Sequence, residues 1–291
     1  MNKIIIEVGS TNTKIDIYDG KNVNRLDELT ILFKQNYKKN NSIDKEDIKI
    51  LIDYILNVKK NYDDIYVCGT SIFRDLNNEE REEFLKYFFD KTGLIFNIIS
   101  QEQENELTVL GATRFVDEKV CVFVGGGGST EISIFDKSII ESRNTSFGVM
   151  DVMNIFPDLA DDFASTSLET VMEYIEKRLD IPNVKADILI LAGGGHEVFA
   201  RNSGIKYESN TLYNDSSASI MMDIETRKKE TKRYYEAISL NDIKKKVSNP
   251  DWWFATRAMC AFVLVVAEKI GAKYIVPTNI SMVYGLLEMN N

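Results

Sequence analysis

Histidine, cysteine and proline are scarce in this sequence of 291 residues, which has one histidine, three cysteines and four prolines. A lone histidine, His196, rules out a histidine-rich metal site and argues against Ser-His-Asp catalysis, so any metal would be a hard cation held by oxygen atoms. Cys68, Cys121 and Cys260 are odd in number and lie far apart within apolar sequence. They predict buried thiols in a reducing compartment, and the cytoplasm is the simplest location.

Long apolar runs are also missing. The run at Ile4–Ile6 is too short for a signal peptide, and the most apolar later stretch, Ala258–Ala267, has about half the length of a membrane span. We therefore expect no targeting segment and no membrane contact. The net charge of −10 argues against a nucleic-acid partner, because a polyanion would meet a repulsive field.

A phosphorylated ligand would need a local basic lining against this acidic background. The candidate single cations are Lys14, Arg74, Arg114, Arg143, Arg201 and Arg257. Three basic runs are more typical of solvated helix faces than of a binding surface. These runs are Arg227–Lys229, Lys232–Arg233 and Lys244–Lys246.

The most distinctive stretch is Gly125–Glu131, which reads Gly-Gly-Gly-Gly-Ser-Thr-Glu. It separates the apolar run Lys119–Val124 from the alternating segment Ile132–Phe135, and this pattern predicts a strand, a turn and a second strand. Glycines let backbone N–H groups approach a ligand and the hydroxyls add donors, so the turn can hold a phosphate. The same turn can equally be structural, and this stretch alone does not decide between the two.

A second unit of the same kind lies at the amino terminus. Ile4–Val8 reads as a buried strand, Gly9–Asn12 as a turn and Lys14–Tyr18 as an alternating strand. The repetition indicates an internal duplication.

Between the two hairpins the pattern alternates helices and strands. A capping box at Ser100–Gln103 begins a helix that continues to about Arg114. For Glu102, in its first turn, the helix macrodipole is sufficient explanation. Glu104 lies just past the end of a strand, where ligands collect in open α/β sheets, and is a candidate general base. The other predicted elements here are a helix at 44–60, a strand at 65–68, a turn at 69–71, a helix at 78–91 capped by Asn77 and Glu80, and a strand at 94–99.

The second half repeats the alternation. For the turn Gly193–Gly195 a plain strand-to-helix connection and a phosphate or nucleoside loop are equally good interpretations. We place the domain boundary near 115–118, giving domains 1–116 and 117–291. The predicted elements are a strand at 139–144, a helix after Ser146–Met150, a helix with a capping box at Thr166–Glu169 that runs to Leu179, a strand at 187–192, a surface insertion at 201–235, a helix at 252–270, a strand at 273–277 and a helix at 281–288.

In this order and spacing the motifs resemble those of the exopolyphosphatase and guanosine pentaphosphate phosphohydrolase (Ppx/GppA) family, within the actin and sugar kinase superfamily. The matching segments are Val8–Lys14, Gly69–Arg74, Ile99–Glu104 with Leu110–Gly111, Gly126–Glu131, and Ser146–Gly148 with Gly194–Gly195.

The resemblance implies an α/β fold of two ribonuclease H-like, actin-like domains, each a mixed five-stranded sheet flanked by helices, with an interdomain cleft. It also implies hydrolysis of polyphosphate or guanosine pentaphosphate, Mg²⁺ as cofactor and a homodimer. Glu104 would be the catalytic base, and Glu131 would line the site. The positions that correspond to the family's phosphate-binding residues are Gly9, Ser10, Thr11, Asn12, Lys14, Arg74, Gly126, Gly127, Gly128, Ser129, Thr130, Gly194 and Gly195.

The chain departs from the family pattern at its expected metal ligands. Glu7 and Val124 stand where the family has aspartates, and only Glu7 can bind a cation. Met282–Gly285 replaces a segment with an arginine, and the family's His-Gly element has no match. The departures leave open a catalytically weakened homologue that binds phosphorylated ligands as a sensor or regulatory subunit. A small-molecule kinase of the superfamily would need an aspartate base in the second domain, and the corresponding position carries none.

Overall fold

The computed structural model describes residues 3–9, 12–20, 22–40, 42–70, 72–193, 195–247 and 250–288. The chain folds into two compact units, residues 1–107 and 108–291. This division falls inside a helix, Gln101–Thr113, whereas the sequence suggested a boundary after Val116. One helix is therefore shared by both units.

Strands and helices alternate along the described residues. The strands are β1 (Lys3–Val8), β2 (Asn12–Tyr18), β3 (Val23–Thr30), β4 (Ile65–Gly69), β5 (Phe96–Ile98), β6 (Val120–Gly125), β7 (Thr130–Phe135), β8 (Ile139–Thr145), β9 (Ile188–Ala192), β10 (Glu208–Ser209), β11 (Ile220–Asp223) and β12 (Tyr274–Pro277). The helices are α1 (Phe33–Asn40), α2 (Lys45–Val58), α3 (Ile72–Asp75), α4 (Asn78–Thr92), α5 (Gln101–Thr113), α6 (Val149–Ile155), α7 (Leu168–Glu176), α8 (His196–Asn202), α9 (Ile224–Ala237), α10 (Leu240–Lys244), α11 (Thr256–Ile270) and α12 (Met282–Glu288).

The first unit is built on a mixed sheet with the strand order β3-β2-β1-β4-β5. β1, β2 and β3 are antiparallel, and β1, β4 and β5 are parallel. Alternate β1 residues Ile4, Ile6 and Val8 face a core that also contains Leu51 of α2 and Phe88 of α4. Successive side chains of a strand point to opposite faces, so Ile5 and Glu7 lie on the other side of the sheet.

The second unit repeats this sheet and extends it. Its strand order is β10-β11-β12-β9-β6-β7-β8, so the five strands β8-β7-β6-β9-β12 reproduce the order of the first unit. One face packs on α6, α7 and α11, and the other carries residues of α5 and α12. The repetition confirms the α/β fold class and the duplication. The expected five strands are seven in the described residues, because β10 and β11 extend the sheet beyond β12.

The predicted surface insertion at 201–235 is wrong. This segment forms β10, β11 and most of α9, and α9 buries Arg227, Thr231, Tyr234 and Tyr235. The sequence pattern failed because this buried face is polar and aromatic instead of aliphatic, so hydrophobic periodicity was weak.

The helix caps were predicted correctly at two places and one residue too early at a third. The Asn77 side chain accepts from the Glu80 N–H at 3.0 Å, and Ser100 and Gln103 form the reciprocal capping box. At α7 the cap is Ser167, because both the N–H and the hydroxyl of Thr166 donate to the Asp158 carboxylate. Thr166, which the sequence favoured as the cap, therefore binds a neighbouring carboxylate instead of capping the helix.

The helix predicted at 252–270 begins later than expected. Residues 250–255 form a short 3₁₀ turn, and the α-helix runs from Thr256 to Ile270. Within the described residues no helix is both long and apolar enough to cross a membrane. The prediction of buried thiols is confirmed, since Cys68, Cys121 and Cys260 are all buried and unbridged.

Candidate functional site

The two glycine hairpins close in the same way. The Gly9 N–H donates to the Asn12 carbonyl at 2.9 Å, and the Gly126 N–H donates to the Ser129 carbonyl at 2.9 Å. In the second hairpin this bond spans the two residues Gly127 and Gly128 between β6 and β7. Residues 10 and 11, which carry the predicted donors Ser10 and Thr11, lie outside the described residues, so the geometry of the turn is visible in the second hairpin.

The start of α6 orients the second hairpin. The N–H groups of Val149 and Met150 donate to the carbonyls of Gly126 and Gly127 at 3.1 and 2.9 Å. In a trans peptide the C=O and the following N–H point in opposite directions, so the N–H groups of Gly127 and Gly128 point away from α6. Both glycines are exposed. Two adjacent outward N–H groups form a concave donor surface suited to an anion.

Thr130 holds this hairpin in place. Its hydroxyl is buried and donates to the Phe147 carbonyl at 2.8 Å. Ser129, in the turn, is only partly buried. Of the two predicted hydroxyl donors, Ser129 is thus the one that lies at the surface of the loop.

Gly148 is required by the close approach of the hairpin. A Cβ at this position would lie 2.6 Å from the Gly126 carbonyl oxygen and 2.7 Å from the Gly127 carbonyl. We expect Gly148→Ala to lower stability by about 1–3 kcal/mol, since the backbone must shift to relieve the overlap. Gly128→Ala is the control, because nothing lies within 4 Å of the Cβ it would add. Equal melting temperatures for the two variants would contradict this prediction.

In the first unit, Glu7 and Lys14 are directly paired across β1 and β2. The Lys14 Nζ lies 3.4 Å from the Glu7 Oε1, and this carboxylate raises the pKa of Lys14. Glu7 is 8% exposed, and within the described part of the chain its Oε2 atom is buried without a hydrogen-bond partner. Lys14 is thus a charged lysine that is already paired with a carboxylate.

Arg74 and Glu104 form another ion pair of this unit. The Arg74 Nη1 donates to the Glu104 Oε2 at 2.7 Å and to the Ile99 carbonyl at 3.2 Å. The two side chains are 26% and 35% exposed. Glu104 lies in the first turn of α5, whose macrodipole favours a negative charge there.

Cys68 connects the two pairs. It is paired with Glu7 in the sheet, and its thiol is fully buried. Burial raises the pKa of Cys68, and the carboxylates of Glu7 and Glu104 raise it further. Cys68 therefore shares its face of the sheet with Glu7, and both carboxylates disfavour the ionised form of its thiol.

Sequence reasoning missed Arg81. Its Nη2 donates to the carbonyls of Arg74 and Leu76 at 3.0 and 3.2 Å, and so fixes the backbone from which the Arg74 side chain extends. The available signal was its spacing, because Arg81 precedes the buried residues Phe84 and Phe88 of α4 by three and seven positions. An arginine on an apolar helix face indicates that its stem packs on that face while its charged end contacts polar groups.

Two other predicted residues have different surroundings. The Asn12 side-chain amide donates to the Glu28 Oε1 at 2.7 Å, which joins β2 to the edge strand β3. Glu131 is partly buried and lies directly opposite Val124 in the register of β6 and β7. Directly opposed residues share a face of the sheet, so Glu131 brings a carboxylate to the face on which Val124 offers none.

The third glycine turn is a tight connection from β9 to α8. Gly193 and Gly195 both have positive φ angles, 71° and 78°, and the Gly193 N–H donates to the Ile280 carbonyl. Such angles favour glycine for conformational reasons alone. Gly194 lies outside the described residues, and a phosphate role for this turn stays a prediction.

His196 follows this turn, and its burial predicts that the stability of the protein depends on pH. Burial, and then the nearby Arg227, lower the pKa of His196 to about 3. An unfolded histidine has a pKa of about 6.5, so below that pH only the unfolded state gains the proton. Stability should fall by about 1.4 kcal/mol per pH unit as the pH drops from 6.5 towards 3. Urea denaturation at pH 7 and pH 5 should show this loss in the wild type and a much smaller one in His196→Leu; equal pH dependence would contradict it.

The two sheets share one order of five strands, and each has a glycine hairpin between its first two strands, so they define a duplicated α/β fold. A model of the Ppx/GppA phosphatase family matches residues 25–247. The chain belongs to this family. A search of curated proteins found no match.

Solved structures share the fold over the whole chain. A Ppx/GppA family member from Aquifex aeolicus has 19% sequence identity and a TM-score of 0.77, with 100% of this chain and 97% of that chain covered. An exopolyphosphatase from Cytophaga hutchinsonii has 14% identity and a TM-score of 0.72, with the same coverage. Nucleoside triphosphate hydrolases from Neospora caninum have 10% identity and a TM-score of 0.60, with 99% and 92% covered. At these identities the similarity is one of fold.

Proposed function

We propose that this protein hydrolyses phosphoanhydride bonds, releasing the terminal phosphate of inorganic polyphosphate or the 5′ phosphate of guanosine pentaphosphate. The observation that carries the proposal is the 2.7 Å contact between Arg74 and Glu104. It brings a cation that can neutralise a phosphate next to a carboxylate that can accept a proton. Membership of a phosphatase family supports the same reaction class.

In the proposed reaction a water oxygen attacks the terminal phosphorus. The new P–O bond forms as the bridging P–O bond breaks, and its electron pair leaves with the shortened phosphate chain. Glu104 accepts the proton of the water, while Arg74 and Lys14 neutralise phosphate oxygens. Phosphoryl transfer depends mostly on positioning and charge stabilisation, so a cation with a fixed backbone, such as Arg74, is a suitable catalytic group.

The residues do not fit a divalent cation held by the protein alone. Glu7 offers one unpartnered oxygen, but its other oxygen faces Lys14, and Val124 offers no oxygen at all. Among the described residues no group of three or more histidine, cysteine, aspartate or glutamate side chains can hold a metal. We therefore assign no step of the reaction to a metal ion.

A phosphate-release screen tests the proposal. The wild-type protein is incubated with polyphosphates of several lengths and with guanosine pentaphosphate, each with Mg²⁺ and with a chelator. We expect release from at least one phosphoanhydride and none from a simple phosphate monoester. No release from any phosphoanhydride would overturn the proposal, and the two substrate arms distinguish the polymer from the nucleotide.

A second candidate function, ligand binding without turnover, is favoured by Val124 and by the pairing of Glu7 with Lys14. In that case Val124→Asp combined with Glu7→Asp should raise phosphate release at least about tenfold in the presence of Mg²⁺, because Mg²⁺ is commonly bound through one or two carboxylates and substrate phosphates. Val124→Asn with Glu7→Asp is the matched control, since it has the same shape without the charge. A wild type that already turns over at about 1 s⁻¹ or faster would count against this function.

A further inference from the structure

Both cations that the first unit offers to a phosphate are already neutralised by carboxylates. Lys14 faces Glu7 at 3.4 Å, and Arg74 donates to Glu104 at 2.7 Å. A phosphate that binds Arg74 must therefore share this guanidinium with the residue proposed as the base. A carboxylate that gives a lone pair to a guanidinium is also less able to accept a proton. The contact with Arg74 therefore occupies one carboxylate oxygen of Glu104.

We propose that the Arg74–Glu104 pair is a latch that the phosphate ligand opens. In the absence of ligand, Arg74 binds Glu104; when phosphate arrives, the guanidinium moves to the phosphate and Glu104 is released to accept a proton from water. The inference rests on the proposed function and adds its regulation, because the base becomes active when a phosphate occupies the site.

The backbone around Arg74 is suited to such an exchange. Arg81 donates to the carbonyls of Arg74 and Leu76, which fixes the main chain immediately after the Arg74 side chain. The Ile99 carbonyl receives the same Nη1 atom that binds Glu104. A rotation of the guanidinium breaks both of these Nη1 bonds, while the bond from Arg81 keeps the main chain of Arg74 in place.

Glu104 can lose its arginine partner at little cost. It lies in the first turn of a 13-residue helix, where the backbone dipoles stabilise a carboxylate, and its side chain is 35% exposed to water. Partly exposed ion pairs of this kind contribute little net stability, so a doubly charged phosphate is a competitive partner for Arg74.

A double-mutant cycle tests the latch with methylenebisphosphonate, a phosphoanhydride analogue that cannot be hydrolysed. Titration calorimetry compares the wild type with Glu104→Gln, Arg74→Ala and the double variant. Glu104→Gln should bind about fivefold more tightly than the wild type, because Arg74 no longer has a competing carboxylate. In the Arg74→Ala background the same substitution should change affinity by less than about 1.5-fold.

Failure of the latch and failure of the proposed function give different results. An unchanged affinity in Glu104→Gln overturns the latch, and so does a gain that persists in the Arg74→Ala background, since that pattern is simple charge repulsion. Glu102→Gln is the matched control: it removes the same charge from the same helical turn but leaves the hydrogen bond between Arg74 and Glu104 in place, and should change the affinity by less than about 1.5-fold. Continued phosphate release by Glu104→Gln would overturn the base role of Glu104 while leaving the binding result intact.

Discussion

Replacing Glu104 by glutamine is expected to lower kcat for phosphate release by about 10²–10⁴-fold, the usual contribution of a general base. Glutamine keeps the size of the side chain and can still accept from Arg74 through its amide oxygen, but it cannot take a proton from water. The measurement is steady-state phosphate release on whichever phosphoanhydride the wild type hydrolyses fastest.

Glu102→Gln is again the control, and its kcat should stay within about twofold of the wild type, because surface charges have small effects. The folded state must be compared as well. Glu104 is partly exposed, so Glu104→Gln should melt within a few degrees of the wild type. Release at the wild-type rate by Glu104→Gln would remove Glu104 from the mechanism.

The sequence predicted the parts of the fold that follow hydrophobic periodicity. The strands before both glycine turns are almost continuously buried, as their apolar runs predict, and the helix at α2 buries Ile48, Leu51 and Ile55 on one face. It did not predict β3. That strand is exposed along most of its length and carries Arg25, Asp27 and Glu28, so its strand structure comes from pairing with β2 and not from its own composition.

The candidate site was predicted at the level of residue types more than of contacts. Motif order placed Glu104 and Arg74 near the same function, but nothing in the spacing showed that they would bind each other, because 30 residues separate them. The pairing of Glu7 with Lys14 follows from strand register, which is readable once the hairpin is assumed. The role of Gly148 depends on the backbone of residues 126 and 127 passing within contact distance, which no local pattern encodes.

Arg257 was a candidate for a basic phosphate lining, and the structure gives it another task. It is fully buried, and its guanidinium donates to four backbone carbonyls. The acceptors are the carbonyls of Leu159, Asp161, Asp162 and Ile238, at 3.1, 2.6, 2.6 and 3.2 Å respectively. These bonds join the connection after α6 and the end of α9 to the first turn of α11.

We therefore expect Arg257→Met to lower the free energy of unfolding by about 3 kcal/mol. Methionine fills much of the space of the arginine stem but leaves the carbonyls without their donor, and each unsatisfied buried group costs about 1–3 kcal/mol. Methionine also avoids the cost of burying a charge, and this gain offsets part of the loss. Urea denaturation of the purified variant measures the difference.

Arg233→Met is the matched control, because Arg233 is 44% exposed and pairs only with Glu230 among the described contacts. It should change stability by less than about 0.5 kcal/mol, as surface substitutions usually do. The two interpretations of Arg257 then predict opposite results. If it lines a phosphate site, Arg257→Met should weaken phosphate binding while unfolding stays near the wild type; if it clamps these carbonyls, stability falls first and any effect on binding follows from the loss of folded protein.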